Sequence, residues 1–529
     1  MTFCRIDLRL LLCRLVSLAV TIPIASANLH ASDRIAAQGL SEPVPTLSPP
    51  RALPGGVPPL PVPDTDQVPV SSLKETPYLG VQSCASSSCH GNPGGGDLLQ
   101  SAYVIFQQND PHTRAGAVLF NEKSQAIAER LKLSEPAWKS NTCLVCHAPG
   151  AMDMQNDPRI KTLVSEGVSC ESCHGPAQDW LVPHRSLNWK NPAIWPASRK
   201  KEAGYVVTKS LTVRANLCAD CHVGSVRGQV DHDLIAAGHP RLLFEFSGDQ
   251  DVLPAHWKRS VDRKRLQAET GSSRASFEAT AWLLGQLVCA DRELELLAHA
   301  AANPNRAWPE LSQYDCFACH QDLNASNLQA GAGSAGSAGK LRWGTWNLGL
   351  LQTAPQVVLS QDASAYQADS EQLNKLLRSF SEDREQVLKL TTSQRQRLDL
   401  ELSKRPAHYF IDRDVTQLRD SLLKSHQQFA FQGWDTSTQF YLAIAALQLG
   451  VSETQGESQI TDPNLRALLQ EIRSQLSFRK ASPIRPDVIY DSPRGFDRNA
   501  KANLNELFMR YQSEVTGTPS ALIIPPEVR

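Results

Sequence analysis

Apolar and polar positions divide the chain into stretches of different rhythm. Arg5, Arg9 and Arg14 precede an apolar run from Leu15 to Ala25 and the small residues Ala25-Ser26-Ala27. A basic segment, a short apolar segment and a small-x-small site are the pattern of an export signal, predicted over residues 1–27. The run is shorter than the roughly 20 residues a spanning helix needs, which weighs against the competing reading, an uncleaved anchor. Residues 28–76 are rich in Pro, Ser and Val without helical period and predict an extended, disordered linker. From 77 to 323 strand-like alternation is sparse, and short helices joined by long loops are expected. Within this stretch "AWLLGQLVCADRELELLAHAA" reads as a helix. An Ala/Gly/Ser-rich linker at 324–340 follows. Beyond it, "LNKLLRSFSEDREQVLKL", "VTQLRDSLLKSHQQFAF" and "STQFYLAIAALQLGV" repeat apolar residues at three and four positions. They predict a helical domain at 341–480. A Pro-rich tail, 481–529, carries one expected helix near Asn499–Tyr511. The expected class is mainly α: an irregular, loop-rich domain, then a C-terminal helical bundle.

Composition changes this picture in one respect. The chain has 529 residues, with Lys+Arg 53 against Asp+Glu 54, and a balance so near zero gives no footprint for nucleic acid. Aromatic residues are only 6%, thin for a conventional core of this size. The unusual numbers are Cys 13 and His 14. Cys4 and Cys13 would leave with the signal.

Ten of the remaining cysteines form five clusters, each ending in Cys-His. They are Cys84–Cys89-His90, Cys143–Cys146-His147, Cys170–Cys173-His174, Cys218–Cys221-His222 and Cys316–Cys319-His320. The last four are C-x-x-C-H; by chance about 0.01 such matches would be expected in this composition. The spacing suits a c-type haem: two thiols form thioethers on one porphyrin edge, and the adjacent imidazole reaches the iron. The residues between the cysteines need only close a turn, so their identity reads as free. The wider insert between Cys84 and Cys89 lengthens that turn without moving Cys89-His90. Zinc knuckles and redox dithiols are the alternatives, but neither calls for His after every pair. Cys289, in the long apolar helix, reads as a buried inert thiol.

Each iron has a second axial position. Among the Met, only Met152 and Met154 lie in this region, so His/Met ligation cannot be general. Six His lie between the first and last motifs outside them: His112, His184, His232, His239, His256 and His299. His112, His184, His232, His239 and His256 are the candidate distal ligands. His232 and His239, seven apart, would share one helical face at about 10 Å and could serve two irons. His184 could reach the haem at Cys143–His147 or at Cys218–His222. His299 fits an ordinary helical-face position. His408 and His426 read as surface residues, and His30 lies in the linker.

The blocks "YLGVQSCASSSCHG", "DPHTRA", "GVSCESCHGPAQDWLVPH", "CADCHVGS", "DHDLIAAGHPRLLFEF" and "YDCFACHQDL" resemble the cytochrome c-554 family of multihaem c-type cytochromes. The resemblance covers about Tyr78 to Leu323. It implies distal ligation by His outside the motifs, and haems packed in stacked and perpendicular pairs that conduct electrons. The chain departs from the small family members in having five motifs and a long C-terminal extension. These residues together predict a pentahaem domain at 77–323, an exported, periplasmic electron carrier and redox partner proteins, with room for a membrane-associated donor or acceptor. The alternative is an oxidoreductase with one open iron acting on a small nitrogen or sulfur oxyanion; the Cys143–His147 haem is then the candidate, because no His follows it closely. No catalytic residue is assigned.

Overall fold

The computed structural model describes residues 78–517 apart from 95–96, 153, 155, 273–274, 317–340, 405–413, 478–495 and 497. The expected signal, both linkers, most of the tail, His30, Cys319, His320 and His408 lie outside the described residues. Within them the chain is mainly helical, with short helices and loops followed by a C-terminal helical region. Pairing among the described residues is limited to isolated bridges at Ser225–Gly228 and Tyr314–Trp343.

The long helices carry the architecture. They are α1 (Leu211–His222), α2 (Phe246–Val252), α3 (Phe277–Ala302), α4 (Ala363–Arg378) and α5 (Arg384–Leu402). There follow α6 (Val415–Leu423), α7 (His426–Gln432), α8 (Trp434–Thr454), α9 (Pro463–Leu476) and α10 (Arg498–Thr516). The expected tail helix is therefore real and longer than its apolar pattern. The continuous pattern at 373–390 is broken into α4 and α5 by a turn in which Phe380 takes φ 50°.

Two kinds of packing meet in the molecule. From residue 119 to 189, and again at Leu234 and Ala237, buried apolar side chains form only small clusters, such as Ala177, Trp180 and Trp189. A single large cluster instead runs from Leu211 in α1 to Tyr511 in α10. Its spine is α3, buried without interruption from Phe277 to Ala290. A helix apolar on all sides must be enclosed, and α3 is enclosed by α1, α2, α5 and α8. Close crossing needs glycine at two points: a Cβ on Gly285 would lie 2.6 Å from Phe246 Cβ, and one on Gly450 would lie 2.9 Å from Ala279 Cβ. The core thus joins α3, which lies between the fourth and fifth motifs, to helices beyond the 324–340 interval. Polar contacts tie the same parts together. Arg241 donates to both carboxylate oxygens of Asp435 at 2.9 and 2.7 Å, and Thr345 Oγ1 donates to Asp435 Oδ2 at 2.6 Å. Ser276 Oγ and the Glu278 N–H donate to Glu453 Oε2 at 2.9 and 3.0 Å.

Candidate haem centres

Local structure explains how each motif presents its groups. Cys143–His147 and Cys170–His174 lie on the helices Asn141–His147 and Cys170–His174, and Cys218–His222 ends α1. On a helix, positions i, i+3 and i+4 share one face, so two thiols and an imidazole project together. The first motif differs. Cys84 ends the 3₁₀ turn Val81–Cys84, and the insert loops back so closely that a Cβ on Gly91 would lie 1.9 Å from the Ala85 carbonyl oxygen. The ten described cysteines are free thiols, Cys289 among them as a buried one. Burial pushes the Cys289 thiol well above its usual range.

Each of the four described motif imidazoles is met by a second imidazole. His90 faces His184 with ring centroids 6.2 Å apart, and His222 faces His112 at 6.0 Å. His147 faces His239 at 6.2 Å, and His174 faces His256 at 6.2 Å. Two imidazoles bound through Nε2 to one metal at about 2.0 Å would hold their centroids about 6.3 Å apart, so the observed spacing leaves room for one iron between each pair. Nδ1 anchors orient five of these rings. His90 Nδ1 bonds Leu99 O at 2.7 Å, His147 Nδ1 bonds Ala115 O at 2.7 Å and His239 Nδ1 bonds Pro240 O at 2.8 Å. His184 Nδ1 bonds Leu181 O at 3.0 Å, and His112 Nδ1 bonds Asp110 Oδ1 at 2.8 Å. An acceptor on Nδ1 keeps the proton there and leaves the Nε2 lone pair for a metal. Burial pushes His174 and His222 down to about 4, with neighbouring His adding to the effect. His147, His239 and His256 are lowered as well, chiefly by burial. All five therefore stay neutral, the ligating form, at neutral pH.

Three sequence expectations are corrected here. His184 sits against His90 rather than near His147 or His222. His232 and His239 do not share a helix: the helix His232–Ala236 ends, and Gly238 at φ 116° turns the chain before His239. The Cys143–His147 site, the candidate for an open iron under the alternative reading, is faced by His239, which arrives from far along the chain. His232 lies beside the lead-in to Cys316: its N–H donates to Glu310 Oε1 at 2.9 Å, just before the turn Leu311–Gln313. His299 has a buried Nδ1 without a partner, and His426 Nδ1 bonds Leu423 O at 2.9 Å. Neither makes a ring contact with a second histidine among the described residues.

Sequence reasoning also missed a residue. Glu171, between the two cysteines of the third motif, is 1% exposed. Its carboxylate accepts the N–H groups of Gly80 at 2.8 Å, Leu79 at 3.0 Å and Ala177 at 2.7 Å. Glu166 accepts the Val81 N–H at 2.9 Å, and burial pushes its carboxyl up to about 7. These two side chains hold the lead-in to the first motif against the third. The Cys84 and Cys170 thiols are neighbours, and the second and fourth motifs meet where Cys146 Sγ points at the Cys221 carbonyl at 4.0 Å and Cys221 Sγ at the Val145 carbonyl at 3.8 Å. Cys173 in turn lies within electrostatic reach of Cys221. Among the four described motifs the neighbours therefore run first, third, fourth, second. A small cavity of about 50 Å³ opens beside His222, between the fourth motif and residues 312–313, with Arg241, Phe244, Glu293 and Trp346 in its wall.

Free thiols at i and i+3, an adjacent imidazole and a facing imidazole are the donor set of haem c. Residues 83–175, which span the first three motifs, match the family described as cytochrome c554 and c-prime. This stretch resembles a c-type cytochrome. No curated protein and no solved structure gives a match to the chain. The family implies covalently held haem c and export, and no described helix is long and apolar enough to cross a membrane.

Proposed function

We propose that the chain is a periplasmic electron carrier holding five haem c groups with bis-histidine ligation. The observation that carries this reading is the set of four facing pairs, each combining one motif His with one His outside the motifs. His90 pairs with His184, His222 with His112, His147 with His239 and His174 with His256. His232, beside the lead-in to Cys316, is the remaining partner for His320. Cys84, Cys89, Cys143, Cys146, Cys170, Cys173, Cys218, Cys221, Cys316 and Cys319 form the thioethers.

Bound haem supplies a one-electron couple, and the chain's own residues set its terms. The Nδ1 acceptors hold each imidazole in its ligating tautomer. The facing rings close both axial sides, which favours electron transfer over substrate binding. An oxidoreductase would need an open iron with acid–base groups beside it, and its best candidate, Cys143–His147, is capped by His239. The carrier works with redox proteins rather than nucleic acid.

The test is the spectrum of the dithionite-reduced, purified protein with and without carbon monoxide, together with its mass. Five haems per chain and bands unmoved by carbon monoxide are expected. Absence of haem bands refutes the cofactor assignment; a shift in about one haem of five refutes complete bis-histidine ligation.

A further inference from the structure

The segment from Asp179 to Lys209 differs from the rest of the chain in charge. It carries Arg185, Lys190, Arg199, Lys200, Lys201 and Lys209 against Asp179 and Glu202, in a protein of net charge −1. The six cationic side chains are exposed, apart from a half-buried Lys200. Among them stand two apolar side chains with no cover, Val182 at 71% and Leu187 at 96% exposure. Monomeric proteins expose single apolar residues freely, so exposure alone decides nothing. Three further observations point to a partner.

The first is rigidity. Trp180, Trp189, Trp195 and Tyr205 pack as one aromatic group beneath the segment. The Arg199 guanidinium lies 4.1 Å over the Trp195 ring, and the Lys200 ammonium 4.7 Å over the Trp189 ring. The charges therefore project from a fixed platform rather than a mobile loop. The second is position. His184 belongs to this platform, its ring edge-on to Trp180 and Trp189, and it faces His90. The third is order. The first motif lies at one end of the series of described motifs, so this surface covers a terminal site.

We infer that residues 181–201 form the docking face for a small acidic redox protein, whose carboxylates meet Lys190, Lys200 and Lys201 while Leu187 seats in an apolar centre. Apolar centre and charged rim are the general plan of transient interfaces, and complementary charge mainly sets the encounter rate and specificity. An anionic membrane is the other occupant with suitable charge. Pro183, Pro192 and Pro196 divide the segment into helices of one or two turns, without the long apolar face that lies in a lipid interface. The inference rests on the electron-carrier reading.

The test uses the full-length holoprotein and a plant-type ferredoxin as the acidic probe. Affinity is measured by calorimetry at low and high salt, and contact sites by zero-length carbodiimide cross-linking. The variant Lys190→Glu/Lys201→Glu is compared with Lys389→Glu/Lys424→Glu, which changes net charge equally on the exposed surface of the bundle. Expected are cross-links at Lys190, Lys200 or Lys201, weaker binding at high salt, and at least a tenfold loss of affinity in the first variant only. Equal losses in both variants, or cross-links confined to other lysines, overturn the inference. So does binding to phosphatidylserine vesicles in preference to the probe. Haem bands are read on the same samples: their absence refutes the carrier reading whatever the binding shows, and their presence without localised binding refutes only the docking face.

Discussion

Replacing Glu171 isolates what one carboxylate contributes to the assembly of two motifs. In Glu171→Ala the N–H groups of Leu79, Gly80 and Ala177 lose their acceptor. Hydrogen bonds to a charged group contribute about 1.5–3 kcal/mol each, and a buried donor left unpaired costs about 1–3 kcal/mol. Water reaches the half-exposed Leu79 backbone more easily than that of Gly80 or Ala177, so we take about 3 kcal/mol for local opening at 79–81. At 1.4 kcal/mol per factor of ten, that is a roughly hundredfold rise in amide exchange there. Native-state hydrogen exchange read by mass spectrometry is the assay, with peptides from α8 as an internal standard. Glu171→Gln keeps the shape and one acceptor oxygen, and an intermediate acceleration is expected. Removing this charge also removes a neighbour that raises the Glu166 pKa, so Glu166 should titrate lower in both variants. Exchange at 79–81 unchanged in Glu171→Ala, with α8 also unchanged, would refute the reasoning.

Three further outcomes are expected. His232→Ala should let carbon monoxide bind about one haem in five of the reduced protein, seen as a partial Soret shift, while the wild type does not respond. Asp435→Ala leaves the Arg241 guanidinium buried without its partner and should cost about 3–5 kcal/mol, read as an earlier urea transition. Glu166 holds its proton up to about pH 7 in the folded chain against 4.5 as its ordinary value. Its stabilising contribution is thus complete below about 4.5 and lost as pH rises towards 7. Thermal scans from pH 5 to 8 should show the wild type losing stability relative to Glu166→Gln, and parallel curves would contradict the assignment.

The attachment chemistry was legible because it is local: Cys, Cys and His within one helical turn need no tertiary information. Four histidines singled out by the sequence each face a motif histidine, but their pairing was not legible. Which imidazole faces which depends on chain reversals, such as the turn at Gly238 that takes His239 off the helix of His232. Glu171 was invisible because its partners are backbone groups, two of them 92 and 91 positions earlier in the chain, which leave no mark on composition. Periodicity likewise found the helices beyond residue 341. It could not tell that α3, an apolar helix before the fifth motif, forms their spine, since an enclosed helix has no polar stripe to reveal its neighbours.

That shared spine bears on the order of events when the chain is made. The contacts that close it join residues 194 apart at Arg241–Asp435 and 177 apart at Ser276–Glu453. Contacts of such span form late, because the loop entropy must be overcome before they return anything. As the polypeptide emerges from its N-terminus, α3 can meet α1 and α2 well before α5 and α8, its other neighbours, exist. The topology thus leaves the apolar spine half covered until the last third of the chain has arrived to complete its enclosure.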